Sequence, residues 1–269
     1  MLELNHQFRI VDLHAHLTSP GADVSGPVVS AEDAEREMHQ AGIVRAAVAP
    51  APGIDDGEGY VPGNNAVARQ AVERPMVAFA RITGPGEGPT DRVRRLSGWR
   101  ADHHTSPDDI EQYAYNDRFH GFALDPRVDG VPDAAVLEAM DDVGLPLLVN
   151  GGQGFPPAAV ADTLLEYSFP VVLGHFGGYP LDRELMGAAI DLLEAHDQLY
   201  LDTAAVRFRT ELERAIREHP AHVVFGSGFP AVHPSVAVME VLTLDLPEDA
   251  MTRTFSSNAE RLVDALTPQ

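Results

Sequence analysis

"IVDLHAHLTSP", residues 10–20, interrupts an apolar run with ionisable side chains at every second position: Asp12, His14 and His16. Side chains two apart on a strand point to one side, so this spacing places the three on a shared face of a first strand. Two imidazoles ending a strand, with a carboxylate below them, bring ring nitrogens to one point, as a metal site requires.

Downstream of this strand the order repeats. "SAEDAEREMHQAGI" opens with Ser30 as N-cap and Asp33 three residues on, and Gly42 stops the helix before the strand "VRAAVAP". Helix "NNAVARQAVERP" precedes strand "MVAFARI", and Ser106-Pro107-Asp108-Asp109 starts a helix that leads into strand "GFALD". Four further helix–strand units end in "LPLLVN", "PVVLGH", "LYLDTA" and "HVVFGS". Eight strands alternating with helices favour a parallel sheet closed as a (β/α)8 TIM barrel, read here as one domain over residues 1–269. Active sites in such barrels lie at the C-terminal strand ends. Those ends carry His14 and His16, Asp125, Asn150, His175 and Asp202, with Ser227 and Gly228 after strand eight. Singly, Asp125, Asn150 and Asp202 also suit turns or loop caps. Together they make one polar rim, and strand parity predicts that His14, His16, Asp125, Asn150 and His175 converge on one pocket.

Composition narrows the partners. A formal charge of −22 opposes a nucleic acid or an anionic membrane, and the basic cluster "DRVRRLSGWR" at 91–100 is short enough to be a solvated helix face. No cysteine is present, which removes disulfides and thiolate metal sites. The start "MLELNHQF" lacks a basic-then-apolar leader and no run approaches 18 apolar residues, so a cytoplasmic location with no membrane partner is expected. Homo-oligomerisation stays open. The glycine-rich "NGGQG" and "GHFGGYP" match no phosphate-binding fingerprint, and "FGSGF" lacks the spacing of a nucleophile elbow. The long loop at about 84–106, with its His103-His104 pair, is expected to carry much of the specificity.

"VDLHAH", "MHQAGIVRAAVAP", "VVLGHFGG", "VVFGSGFP" and "NAERLVDAL" together resemble the amidohydrolase-related family of metal-dependent hydrolases, which contains decarboxylases and lactonases. The resemblance implies a divalent metal, zinc first, on His14 and His16, with His175 as an acid/base beside it. Two positions depart from the pattern: the strand-five His is Asn150, and the strand-eight Asp is Gly228. Glycine supplies no ligand, and an amide oxygen is a weaker zinc ligand than imidazole, so the metal is expected to be weakly bound or absent. Asp125, where the family often reads "GxKLHP", is a candidate for the relocated carboxylate, and His233 in "FPAVHP" is another substitute. The expected function is hydrolysis of an amide, lactone or ester of a small organic molecule, or its non-oxidative decarboxylation, with His175 and Asp125 catalytic, His14 and His16 on metal, and Asp12, Asn150 and His233 auxiliary. The alternative is a metal-free family member that either catalyses a rearrangement or cyclisation or only binds a ligand or partner.

Overall fold

A computed structural model describes residues 6–18, 28–51, 60–85 and 104–268. The basic cluster at 91–100 and His103 lie outside the described residues. Eight parallel strands run in sequence order: β1 (Ile10–Leu17), β2 (Ile43–Pro50), β3 (Met76–Arg81), β4 (Phe119–Leu124), β5 (Leu147–Gly152), β6 (Val171–Tyr179), β7 (Leu199–Asp202) and β8 (Val223–Val224). β8 is short, and β1 meets the chain that follows it, through Leu13 N–H to Phe225 O at 2.9 Å and Gly228 N–H to His14 O at 2.9 Å. The sheet is therefore a (β/α)8 barrel, nearly closed. No helix among the described residues is long and apolar enough to cross a membrane.

Alternation sorts the strand residues into two layers. Val11, Leu13, Phe79, Leu148, Val172 and Val224 fill the barrel interior, and Ala259, Val263 and Leu266 close its floor. The opposite set, including Ala15, Leu17, Phe122, Leu173 and Leu201, packs beneath the helices. Burying these side chains drives the fold, at roughly 1.5–3 kcal/mol for each large one. Two helices start where the capping residues in the sequence put them: Ser30 accepts from Asp33 N–H at 3.1 Å, and Ser106 and Asp109 form a reciprocal capping box.

The "NAERL" motif acts at the other end of the barrel. Asn258 is buried and donates to Pro220 O at 2.9 Å and Val223 O at 2.8 Å, fixing the entry to β8. The helix Pro234–Leu242 follows β8, as the (β/α)8 order requires, and Glu248–Thr252 is an addition to that order.

Candidate active site

β1 is not a regular strand. Its register against β2 shifts between Asp12 and Ala15. Val11 and Leu13 face the interior while Ala15 and Leu17 face outward, so the two sides exchange within the shift. The expectation that Asp12 shares a face with His14 and His16 is thereby corrected. Asp12 sits in the β1–β8 seam, where its carboxylate accepts from His14 N–H at 3.0 Å and Ser227 N–H at 2.9 Å and also bonds the Ser227 hydroxyl. Burial lifts its pKa to about 6 against those bonds.

His14 and His16 then project together, with their Nε2 atoms 3.2 Å apart. His14 is buried, and its Nδ1 lies 2.6 Å from Asp202 Oδ2. Burial opposes a charge on His14, but Asp202 outweighs it and raises the pKa. Burial, then the neighbouring His14, pushes His16 down to about 3.

His175 comes from β6 through a left-handed kink: His175, Phe176 and Gly177 have φ of 58°, 50° and 64°. For non-glycine residues that conformation costs about 1–2 kcal/mol each. The kink is held by His175 N–H to Asp202 Oδ1 at 3.0 Å and by the ring Nδ1, which donates to Ala204 O at 2.8 Å. A carbonyl only accepts, so the lone pair of the neutral ring is on Nε2. The ring lies 5.0 Å from that of His14 and 5.1 Å from that of Tyr179, centroid to centroid. Burial, then His14, holds its pKa at about 4.

Asp125 follows β4 and has the turn-capping role read for it, together with an ion pair that the sequence did not signal. It caps the helical turn Pro126–Asp129, and it grips the Arg127 guanidinium through both oxygens at 3.1 and 2.7 Å. Burial would raise its pKa, but Arg127 lowers it. Asn150 Nδ2 reaches Asp125 Oδ2 at 3.4 Å, and His16, Asp125 and Asn150 line one small cavity with Arg81 and Asp129. Arg127 also lies over the Tyr179 ring, 4.5 Å from its centroid. Arg81, Asp129, Arg127 and Tyr179 carried no sequence signal. The structure thus draws His14, His16, Asp125, Asn150 and His175 together. His233 stands apart: it caps the helix Pro234–Leu242 by accepting from Ser235 N–H at 3.2 Å, and its Nε2 faces Glu37 at 3.9 Å.

Small residues make room for this cluster. A Cβ at Gly226 would stand 2.8 Å from His14 Cβ and 3.2 Å from Asp202 Cγ. Gly226→Ala is expected to displace His14, costing about 1–3 kcal/mol of stability. Gly187, where a Cβ meets nothing within 4 Å, is the control. Urea unfolding of Gly226→Ala and Gly187→Ala checks this: equal stabilities would mean that the contact is not tight.

Nitrogens of two imidazoles on one tetrahedral zinc, each at about 2.0–2.1 Å, stand about 3.3 Å apart. The His14–His16 pair matches that spacing, and the carboxylate behind His14 is the usual partner of a metal-ligating imidazole. The pair thus fits a divalent cation as two of its ligands. Among the described residues no group of three His, Cys, Asp or Glu converges on one ion.

The family profile described as Amidohydrolase matches residues 11–265. The chain belongs to the amidohydrolase family. A search of curated proteins found no match. Among solved structures, 2,6-dihydroxybenzoate decarboxylase from Rhizobium superposes with a TM-score of 0.65 at 14% identity, covering 95% of this chain and 98% of that one. A probable 2-pyrone-4,6-dicarboxylic acid hydrolase from Acinetobacter baumannii gives 0.65 at 13%, covering 95% and 99%. A dihydroxybenzoic acid decarboxylase from Polaromonas, solved with bound manganese and an inhibitor, gives 0.60 at 16%, covering 95% and 97%. At these identities the likeness speaks for the fold.

Proposed function

We propose that this chain is a metal-assisted enzyme that hydrolyses a lactone, amide or ester of a small organic molecule or removes a carboxylate from one without oxidation. The observation that carries the reading is the convergence of three imidazoles, two with nitrogens at metal-ligand spacing and the third, its lone pair on Nε2, with its ring 5.0 Å from that of His14. His14 and His16 would hold a divalent metal, zinc first, with Asn150 beside them as a weak neutral ligand. When bound, the metal supplies Lewis-acid polarisation of a substrate oxygen. His175 Nε2 takes or returns the proton, and its low pKa keeps it an acceptor at neutral pH. Asp125 fixes Arg127 and Asn150 at the wall of the site.

A metal-free reading, either acid–base rearrangement or cyclisation or ligand binding alone, draws on Asn150 and Gly228 standing where the family carries ligands. Metal content by mass spectrometry after zinc loading, followed by a panel of lactones, amides and carboxylated aromatic rings, separates the two. Zinc near one equivalent with turnover of one panel class is the expected result, and no zinc at any loading overturns the metal-assisted reading. Restoring the pattern with Gly228→Asp and Asn150→His should tighten zinc at least about tenfold, since each adds a stronger ligand. Gly228 has φ of 69°, a region that aspartate tolerates better than most residues, and its Cβ would lie 3.3 Å from Ala204 Cβ. Unchanged affinity in a folded double variant would show that these positions do not face the metal.

A further inference from the structure

We propose that Asp202 is the positioning residue that couples the two halves of the site, setting the tautomer of His14 with one oxygen and holding the left-handed kink under His175 with the other. This rests on the reading that His14 holds the cation and His175 moves the proton.

Asp202 is wholly buried at the end of β7, and each of its oxygens is used. Oδ2 accepts the Nδ1 proton of His14 at 2.6 Å, which leaves the Nε2 lone pair of the neutral ring turned toward His16. Oδ1 accepts the N–H of His175 at 3.0 Å and the N–H of Ala204 at 2.9 Å. Ala204 in turn accepts the His175 ring proton through its carbonyl at 2.8 Å. The turn after β7 therefore grips His175 at backbone and ring together. Two consecutive non-glycine residues in the left-handed region persist only where their surroundings over-determine them. Here the restraints are this grip and the buried Phe176 side chain. His14 and His175 lie on strands far apart in the chain, and one carboxylate is bonded to both.

The two arms can be cut separately. In Asp202→Asn the amide oxygen must stay with the two backbone N–H donors, because an NH2 group there would face donors. The NH2 then faces His14 Nδ1, which has to offer its lone pair and carry its proton on Nε2. Asp202→Ala releases both arms. The experiment reads the His14 tautomer by long-range 1H–15N correlation in metal-free protein at alkaline pH, the affinity for cobalt(II) by calorimetry, and hydrogen exchange at the His175 amide.

Wild type is expected to show the Nδ1–H tautomer and a protected His175 amide. Asp202→Asn should switch His14 to Nε2–H and weaken cobalt about 10–100-fold while the His175 amide stays protected. Asp202→Ala should lose that protection as well. An Asn variant that keeps the Nδ1–H tautomer and binds cobalt within twofold of wild type overturns the proposal, as does an Ala variant with unchanged His175 exchange. If the Ala variant does not fold, the wild-type and Asn measurements still decide the His14 arm, and the exchange rate of the His175 amide relative to global unfolding decides the other. Failure of wild type to bind cobalt would count against the metal reading alone, since tautomer and exchange judge Asp202 without metal.

Discussion

The melting temperature is expected to rise by about 10 °C or more between 0.1 and 2 M KCl, which at this chain length corresponds to about 3–5 kcal/mol. The chain carries 41 Asp and Glu against 19 basic residues, every one of them arginine. Eleven of the 15 arginines among the described residues already stand in ion pairs, and Arg45 and Arg261 donate to backbone carbonyls. The surplus of carboxylates has too few free cations on the protein to neutralise it, and compaction crowds these like charges together. Salt shortens the screening length from about 10 Å at 0.1 M to about 3 Å at 1 M, which relieves the repulsion. Changing the exposed Glu73, Glu184 and Glu194 to glutamine should raise the low-salt melting temperature and flatten its salt dependence. A melting temperature that is flat or falling from 0.1 to 2 M KCl would show that the surplus charge does not limit stability.

The second large effect is expected at His175. His175→Gln keeps a polar side chain near the original volume but removes the proton acceptor, so turnover on the substrate found by the panel should fall about 10²–10⁴-fold. The same variant has a pH signature with a fixed sign. The His175 pKa, held at about 4 in the folded protein, is lowered from its ordinary 6.5. The unfolded chain therefore takes up this proton as pH falls through about 6.5, whereas the folded chain does not until about 4. The stability His175 contributes is present above 6.5 and is lost as pH drops toward 4. Over that window the advantage of wild type over His175→Gln in metal-free protein should shrink by up to about 3 kcal/mol. Urea unfolding at several pH values measures it. A difference independent of pH would mean that the ring is not held neutral, and full turnover in the variant would remove His175 from the chemistry.

Local pattern carried much of this protein. Alternation along each strand and the strand–helix order are properties of neighbouring residues, so the barrel, the capped helix starts at Ser30 and Ser106, and the set of polar side chains at the strand ends were legible in the chain itself. The resemblance of several short motifs placed the family, because "VDLHAH" and "VVLGHFGG" stand where the barrel needs its rim. What each rim residue does depended on partners far away in sequence. Period-two reasoning put Asp12 beside His14 and His16, but the register shift in β1 exchanges the sides and commits Asp12 to Ser227 across the seam. Nothing local distinguishes Asp202 from a loop cap, since its partner His14 is 188 residues away. His233 reads as a spare ligand until its place on a helix start is seen. The kink that aims His175 could not be read from a strand pattern, because left-handed backbone at histidine and phenylalanine is intrinsically unfavourable and exists only where tertiary hydrogen bonds and packing of the Phe176 ring outweigh its cost. Periodicity therefore determined the scaffold and its rim, while bonds closed across the barrel decided which rim residues gather into one cluster.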